Sequence, residues 1–189
     1  TKLMDYLSNK KQEGIHYAFF HAIVLAFAKT FYNRPKLNRF VQNRHMYEHT
    51  DVAIGFVAKV AFDDDSIEVM IRINVNPDDT IDTLSQKIQK KLENIRIKHE
   101  EKKGANSVIE TIGMLPNIIR IPVVGLLKWC DKLGILPESL VKDNLYYSST
   151  IVSNLGSIKS NSIHHNITDF GTCSSLITMG EIKDTEVIN

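Results

Sequence analysis

Leu145-Tyr146-Tyr147-Ser148-Ser149-Thr150-Ile151-Val152-Ser153-Asn154-Leu155-Gly156-Ser157-Ile158, followed after a polar loop by Ser175-Leu176-Ile177-Thr178-Met179-Gly180-Glu181-Ile182, is the most informative part of this chain. Tyr, Thr, Ile and Val suit a pleated, half-buried surface, so the first half reads as a β-rich run that stops at the turn signal Asn154-Leu155-Gly156. Ser153 therefore carries a hydroxyl at a strand end. The second half reads as a short strand closed by Gly180.

Upstream, residues 3–12 read as a short helix leading to Gly14. Phe20, Ile23, Val24, Phe27, Ala28 and Phe31 recur at helical spacing and predict an amphipathic helix over 19–32. Asn33-Arg34-Pro35 ends it, because the residue before proline is pushed out of the helical region. A turn of helix over 35–41 and a brief strand over 46–50 follow. Residues 52–62 are apolar on both parities, the mark of a strand buried on two faces. Ile67, Val69, Ile71, Ile73 and Val75 alternate with polar residues and predict a strand with one wet face. The two strands form an antiparallel hairpin whose tip is Asp63-Asp64-Asp65, a solvated turn without the spaced ligands of a calcium loop. Pro77-Asp78-Asp79-Thr80 starts a helix that Ile81, Leu84, Ile88, Leu92 and Ile95 carry to about residue 99. Residues 108–141 are helical in tendency, broken at Pro116, Pro122, Gly134 and Pro137. Their Leu126-Leu127-Lys128-Trp129 portion reads as a cover over the core, with pocket lining and partner contact as the other roles open to it.

At 189 residues the chain suits one domain with a sizeable core. Its 23 basic and 22 acidic side chains leave a net charge of +1, and no basic run is interleaved with aromatics, so nucleic acid is not an expected partner. The most apolar stretch, residues 118–129, carries Arg120, Pro122 and Lys128 and falls short of the roughly 20 residues that a bilayer span needs, so no membrane span is expected. Cys130 and Cys173 stand apart without metal-ligand spacing and read as reduced, partly buried thiols of a cytoplasmic protein. The chain contains no Gly-x-Ser-x-Gly elbow and no Walker or dinucleotide glycine pattern.

The Ser153-Asn154-Leu155-Gly156-Ser157 run with Ile177-Thr178-Met179-Gly180 resembles the core of the CoA-dependent acyltransferase superfamily. That superfamily includes chloramphenicol acetyltransferase and the catalytic domain of the dihydrolipoamide acyltransferases of 2-oxo acid dehydrogenase complexes. Phe19-Phe20-His21-Ala22-Ile23, then Arg34-Pro35-Lys36-Leu37-Asn38-Arg39-Phe40, look like the family's aromatic-started helix and the proline turn after it, and Asn38 matches the asparagine usual there. The likeness covers residues 3–99 and 145–182; residues 100–144 depart from it and read as a helical insert. The resemblance implies an α+β, chloramphenicol acetyltransferase-like two-layer sandwich, with a mixed sheet and helices packed on one side. It further implies a homotrimer with the active site between subunits.

In such enzymes a histidine in a His-x-x-x-Asp-Gly motif takes a proton from the acceptor, and a strand-end hydroxyl donates to the oxyanion. By position Ser153 is the oxyanion donor; a serine closing its own turn is the other reading. Phe19 and Phe20 match the aromatic pair lining the acceptor pocket, a position that core packing also explains. His21 either faces that pocket or serves as a structural or capping histidine. His164-His165-Asn166-Ile167-Thr168-Asp169-Phe170-Gly171 imitates the catalytic motif with Phe170 inserted, and it precedes the residue 177–180 strand instead of following it. It reads as a connecting loop, with His165 the second-choice base. The resemblance thus predicts an acyltransferase domain spanning residues 1–189, truncated before its catalytic segment. Coenzyme A carries the acyl group, and the acceptor is a thiol, hydroxyl or amine. The alternative is a catalytically silent trimeric binding or scaffold module of the same fold.

Overall fold

Helical periodicity governs the first segment of the computed structural model, which describes residues 2–59, 68–101 and 112–183. Helix α1 (Lys2–Gln12) buries no side chain and ends ahead of Gly14, whose φ of 83° only glycine adopts freely. Helix α2 (Phe19–Asn33) follows, with Val24, Ala28 and Phe31 buried along one stripe. Arg34 ends it by donating its N–H to the Thr30 carbonyl, and Pro35–Asn38 forms a single 3-10 turn. The turn of helix expected over 35–41 stops there. Asn38 is buried, donates to the Asp51 carbonyl at 2.9 Å and accepts the His49 N–H at 3.0 Å, which draws the chain into extended form. Strands β1 (Arg39–Gln42) and β2 (His45–Glu48) then pair antiparallel, with Phe40 stacked on Tyr47 at 5.6 Å.

Strands β3 (Ala53–Lys59) and β4 (Glu68–Asn74) form the predicted antiparallel hairpin; its Asp63-Asp64-Asp65 tip lies outside the described residues. β3 is buried on both faces only through Phe56, and Val57 is exposed. On β4, Ile71 and Ile73 are buried and Met70 and Asn74 exposed, as the alternation requires. Helix α3 (Ile81–Glu101) starts beside Asp79, a buried carboxylate that accepts from the Asn76 N–H at 2.7 Å, the Thr83 hydroxyl at 3.0 Å and the Lys87 ammonium. Burial opposes ionisation of this group, but those three donors outweigh it and hold the carboxyl below the usual aspartate range.

Helix α4 (Asn117–Leu133) starts after Pro116 and stops at Gly134, two of the breaks expected from the sequence, but it runs straight through the third, Pro122. Proline costs a helix one hydrogen bond, here the one to the Ile118 carbonyl. Ile118 is on the outward side, 83% exposed, where water can take the orphaned oxygen. Nor do residues 126–129 as a whole cover the core: Leu126 and Trp129 are exposed, because the row Val123, Leu127 and Asp131 is the one turned inward. Short helix α5 (Glu138–Val141) leads to a 3-10 turn at Leu145–Tyr147 where a continuous β-run was expected. The Asn144 side chain accepts the Tyr146 N–H at 3.0 Å, and this local bond outcompetes the extended form. Strand β5 (Thr150–Asn154), a second 3-10 turn (Leu155–Ile158) and strand β6 (Leu176–Met179) complete the fold.

The larger sheet is mixed, in the order β4-β3-β5-β6, with β3/β4 antiparallel and β3/β5 and β5/β6 parallel. Alternation splits its faces. Val52, Ile54, Phe56, Ile71, Ile73, Val75 and Val152 pack against Val24, Ala28 and Phe31 of α2 and Leu84 and Ile88 of α3. Ile151 points to the other face, where it joins Leu145 and Cys173 in a smaller cluster. Helices therefore cover one side of a mixed sheet, the two-layer α+β sandwich predicted above.

Candidate functional site

Ser153 sits one residue from the end of β5, an interior strand. Its neighbour Val152 lies in the helix-side core, so strict alternation turns Ser153 to the helix-free face alongside Ile151. The side chain is half-buried, and its hydroxyl has no hydrogen-bond partner among the described residues. The turn after the strand is closed instead by Ser157, whose hydroxyl donates to the Asn154 carbonyl at 2.7 Å. Ser153 is thus a donor held by a rigid element and left unspent.

Ser153 lies opposite Thr178 in the β5/β6 register, and the Thr178 hydroxyl donates to the Ile163 carbonyl at 2.7 Å. That bond fastens the loop carrying His164 and His165 next to the serine's strand. His165 is exposed, and its Nδ1 meets the carbonyl of its own neighbour Asn166 at 2.7 Å; no hydrogen bond joins it to Ser153.

Phe19, Phe20 and His21 open α2 on the other side of the sheet. Phe20 packs edge-on against Phe56 at 5.1 Å and belongs to the helix-side core. His21 does not cap: the N-cap is Ala18, no side chain bonds there, and the ring lies edge-on to Phe20 at 6.4 Å. Burial pushes the His21 imidazole below the usual range, and its buried Nδ1 has no partner. The structure therefore does not bring Phe20 and Ser153 together within one chain.

A further constellation joins α4 to the turn ahead of β5. Asp131, on the inward face of α4, is buried; one carboxylate oxygen accepts the Tyr147 hydroxyl at 2.6 Å and the other the Gly171 N–H at 2.9 Å. Burial first, then the neighbouring carboxylate, pushes the Tyr147 phenol far above its ordinary value. The detectable signal was spacing: Val123, Leu127 and Asp131 recur every four residues, which puts the aspartate on the buried row. Beside it opens a cleft of about 330 Å³, with Gln42, Glu138 and Thr172 among its polar lining and Leu136 and Val141 among its apolar lining. Arg72 ties this region to the sheet by donating to Asp51 at 3.0 Å, to the Tyr147 carbonyl at 3.3 Å and to the Lys142 carbonyl at 3.2 Å. Both oxygens of Asp131 are engaged, so it is a structural carboxylate and no free base. A second cavity of about 170 Å³ lies between the end of α2 and the β2–β3 link, lined by His49, Asp51 and Asn38 among others.

Helices thus cover one face of a mixed sheet, and a hydroxyl stands near the end of one of its interior strands. Among solved structures the chain is similar to a probable dihydrolipoamide acetyltransferase from Listeria monocytogenes 4b F2365, at 16% identity and a TM-score of 0.58, over 96% of this chain and 58% of that one. It is also similar to the cubic core of the pyruvate dehydrogenase multienzyme complex, at 13% identity and a TM-score of 0.62, over 100% of this chain and 61% of that one. The chain thus spans about three-fifths of the length of either structure. No protein-family model and no curated protein sequence matches it. The likenesses establish the fold.

Proposed function

We propose that the chain is an acyltransferase-type domain that transfers an acyl group between coenzyme A and a thiol, hydroxyl or amine acceptor. The observation that carries this reading is the unpartnered Ser153 hydroxyl, set at a strand end on the open face of an acyltransferase-core fold. A fixed hydroxyl of this kind donates to the oxygen on which negative charge develops as the acyl carbonyl is attacked, and it needs no reorganisation to do so. The acceptor must lose a proton in the same step. The base this reading prefers is a histidine from outside the present sequence; His165, exposed on the loop that the Thr178–Ile163 bond holds near β6, is the second choice.

Neither cavity described above is lined by a lysine or arginine that would meet the phosphates of coenzyme A. The reading therefore places the CoA channel between copies of the chain, assembled as a trimer, with Phe19, Phe20 and His21 of one copy available to another's Ser153. One test is CoA release from acetyl-CoA with thiol, hydroxyl and amine acceptors. Replacing Ser153→Ala should lower turnover about 100- to 1,000-fold, the loss of one oxyanion donor.

A second reading is a silent binding module of the same fold. It is favoured by the absence, among the described residues, of any hydrogen bond between Ser153 and a histidine. Absent turnover before mutation, together with retained CoA binding by calorimetry, would decide for it.

A further inference from the structure

We propose that the cavity of about 170 Å³ between the end of α2 and the β2–β3 link is a binding site for the ammonium end of a small primary alkylamine. Phe31 and Val52 give it an apolar wall, and Asn38, Glu48, His49 and Asp51 bring polar groups to it. A buried amide anchors the polar side. Asn38 is only 5% exposed; its Nδ2 donates to the Asp51 carbonyl at 2.9 Å, while its Oδ1 is out of water and has no hydrogen-bond partner. A buried acceptor left bare is costly, so this oxygen calls for a donor from outside the chain.

The other unspent side-chain groups around the cavity are acceptors too. The His49 Nε2 meets the Thr172 carbonyl at 3.3 Å and so carries the ring proton, which leaves Nδ1 as a bare acceptor; burial disfavours a second proton on the ring. One carboxylate oxygen of Asp51 accepts from Arg72 at 3.0 Å and one of Glu48 from Arg39 at 3.0 Å; the second oxygen of each has no hydrogen-bond partner among the described residues. The Tyr32 hydroxyl is spent on the Val75 carbonyl at 2.6 Å, so Thr50 keeps the one side-chain donor free in the lining. No lysine or arginine lines the cavity. An anion would therefore meet two carboxylates and no cation. An ammonium group suits these surroundings: it carries positive charge and three N–H donors, and has no acceptor of its own. A metal ion fits less well, since among the described residues no three His, Cys, Asp or Glu side chains group closely enough to hold one. An apolar cavity of about 150 Å³ takes up benzene, so this volume admits a chain of about five or six heavy atoms, its methylenes against Phe31 and Val52.

The experiment titrates n-butylammonium chloride into the isotopically labelled full chain and follows the His49 ring nitrogens by NMR, with His49→Gln identifying their signals. A saturable shift of those signals is expected, with tetramethylammonium, which has the charge but no N–H, about tenfold weaker or worse. Thr50→Arg replaces an exposed lining side chain with a cation that competes for the same acceptors, and should weaken binding about tenfold. Glu48→Gln, also at an exposed position, removes one carboxylate and should weaken it about threefold, with circular dichroism unchanged in both variants. Nα-acetyl-lysine methylamide tells the source of the amine: tighter binding than butylammonium assigns the cavity to a lysine side chain of a peptide, weaker binding to a free amine. No saturable shift up to about 0.1 M butylammonium would overturn the proposal and leave water as the donor to Asn38. Binding of tetramethylammonium or potassium as tight as that of butylammonium would overturn the choice of ammonium, and binding unaffected by either variant would place the amine elsewhere.

Discussion

Asp131 and Tyr147 show how one buried pair fastens a segment that the rest of the core leaves alone. A carboxylate out of water is costly unless each oxygen finds a donor, and here the Tyr147 hydroxyl and the Gly171 N–H supply them. Tyr147→Phe removes one donor and leaves the oxygen buried, so the chain should lose about 1–3 kcal/mol in urea denaturation. A change of a few tenths would show that water reaches the carboxylate. The phenol is raised above its ordinary value, so the pair's contribution is complete below about pH 10 and is lost only as pH climbs through the raised value. At this scale Ser153 was legible, because a hydroxyl beside a turn signal is a local pattern. Asp131 was not: its sequence neighbours Cys130 and Lys132 say nothing of Tyr147 and Gly171.

Elements follow the same division. The stripe of α2 and the alternation of β4 appear in the sequence because each is a single-element property with a fixed period, 3.6 or 2 residues. The two 3-10 turns flanking β5 were harder, since side-chain bonds and close approach decide them. The two glycines of the motif show this best. A Cβ on Gly156 would sit 2.7 Å from the Gly180 carbonyl oxygen and 3.1 Å from its carbon, so the turn after β5 rests against the backbone at the end of β6. Backbone cannot give way as a flexible side chain can. Gly156→Ala should therefore cost about 1–3 kcal/mol, seen as a melting point lowered by about 2–4 °C per kcal/mol. An unchanged melting point would mean that the turn shifts freely.

For the whole molecule, two half-buried imidazoles set a pH response. Burial lowers both His21 and His49; at His49 the Thr172 carbonyl, 3.3 Å from Nε2, partly opposes this. A histidine depressed in the folded state binds its proton more readily when unfolded. Its contribution to stability is therefore present above about pH 6.5 and is lost as pH falls through the lowered folded value. Denaturation midpoints should be level from about pH 7 to 8 and decline toward pH 5, with the decline reduced in a His21→Leu, His49→Gln variant. Greater stability at pH 5 than at pH 7 would contradict this.

The order of most elements and the strand-end serine were already legible in the chain, because period, turn chemistry and motif spacing act between neighbours; the helix-covered sheet followed from the family resemblance. It took the folded arrangement to show that Phe20 and Ser153 lie on opposite sides of the sheet, that Asp131 is buried and bonded, and that α4 turns Ile118 and Trp129 outward. Those outcomes depend on which surface meets which across long separations. An apolar stripe reads the same in sequence whether protein covers it or not; the fold alone settles which face is left bare.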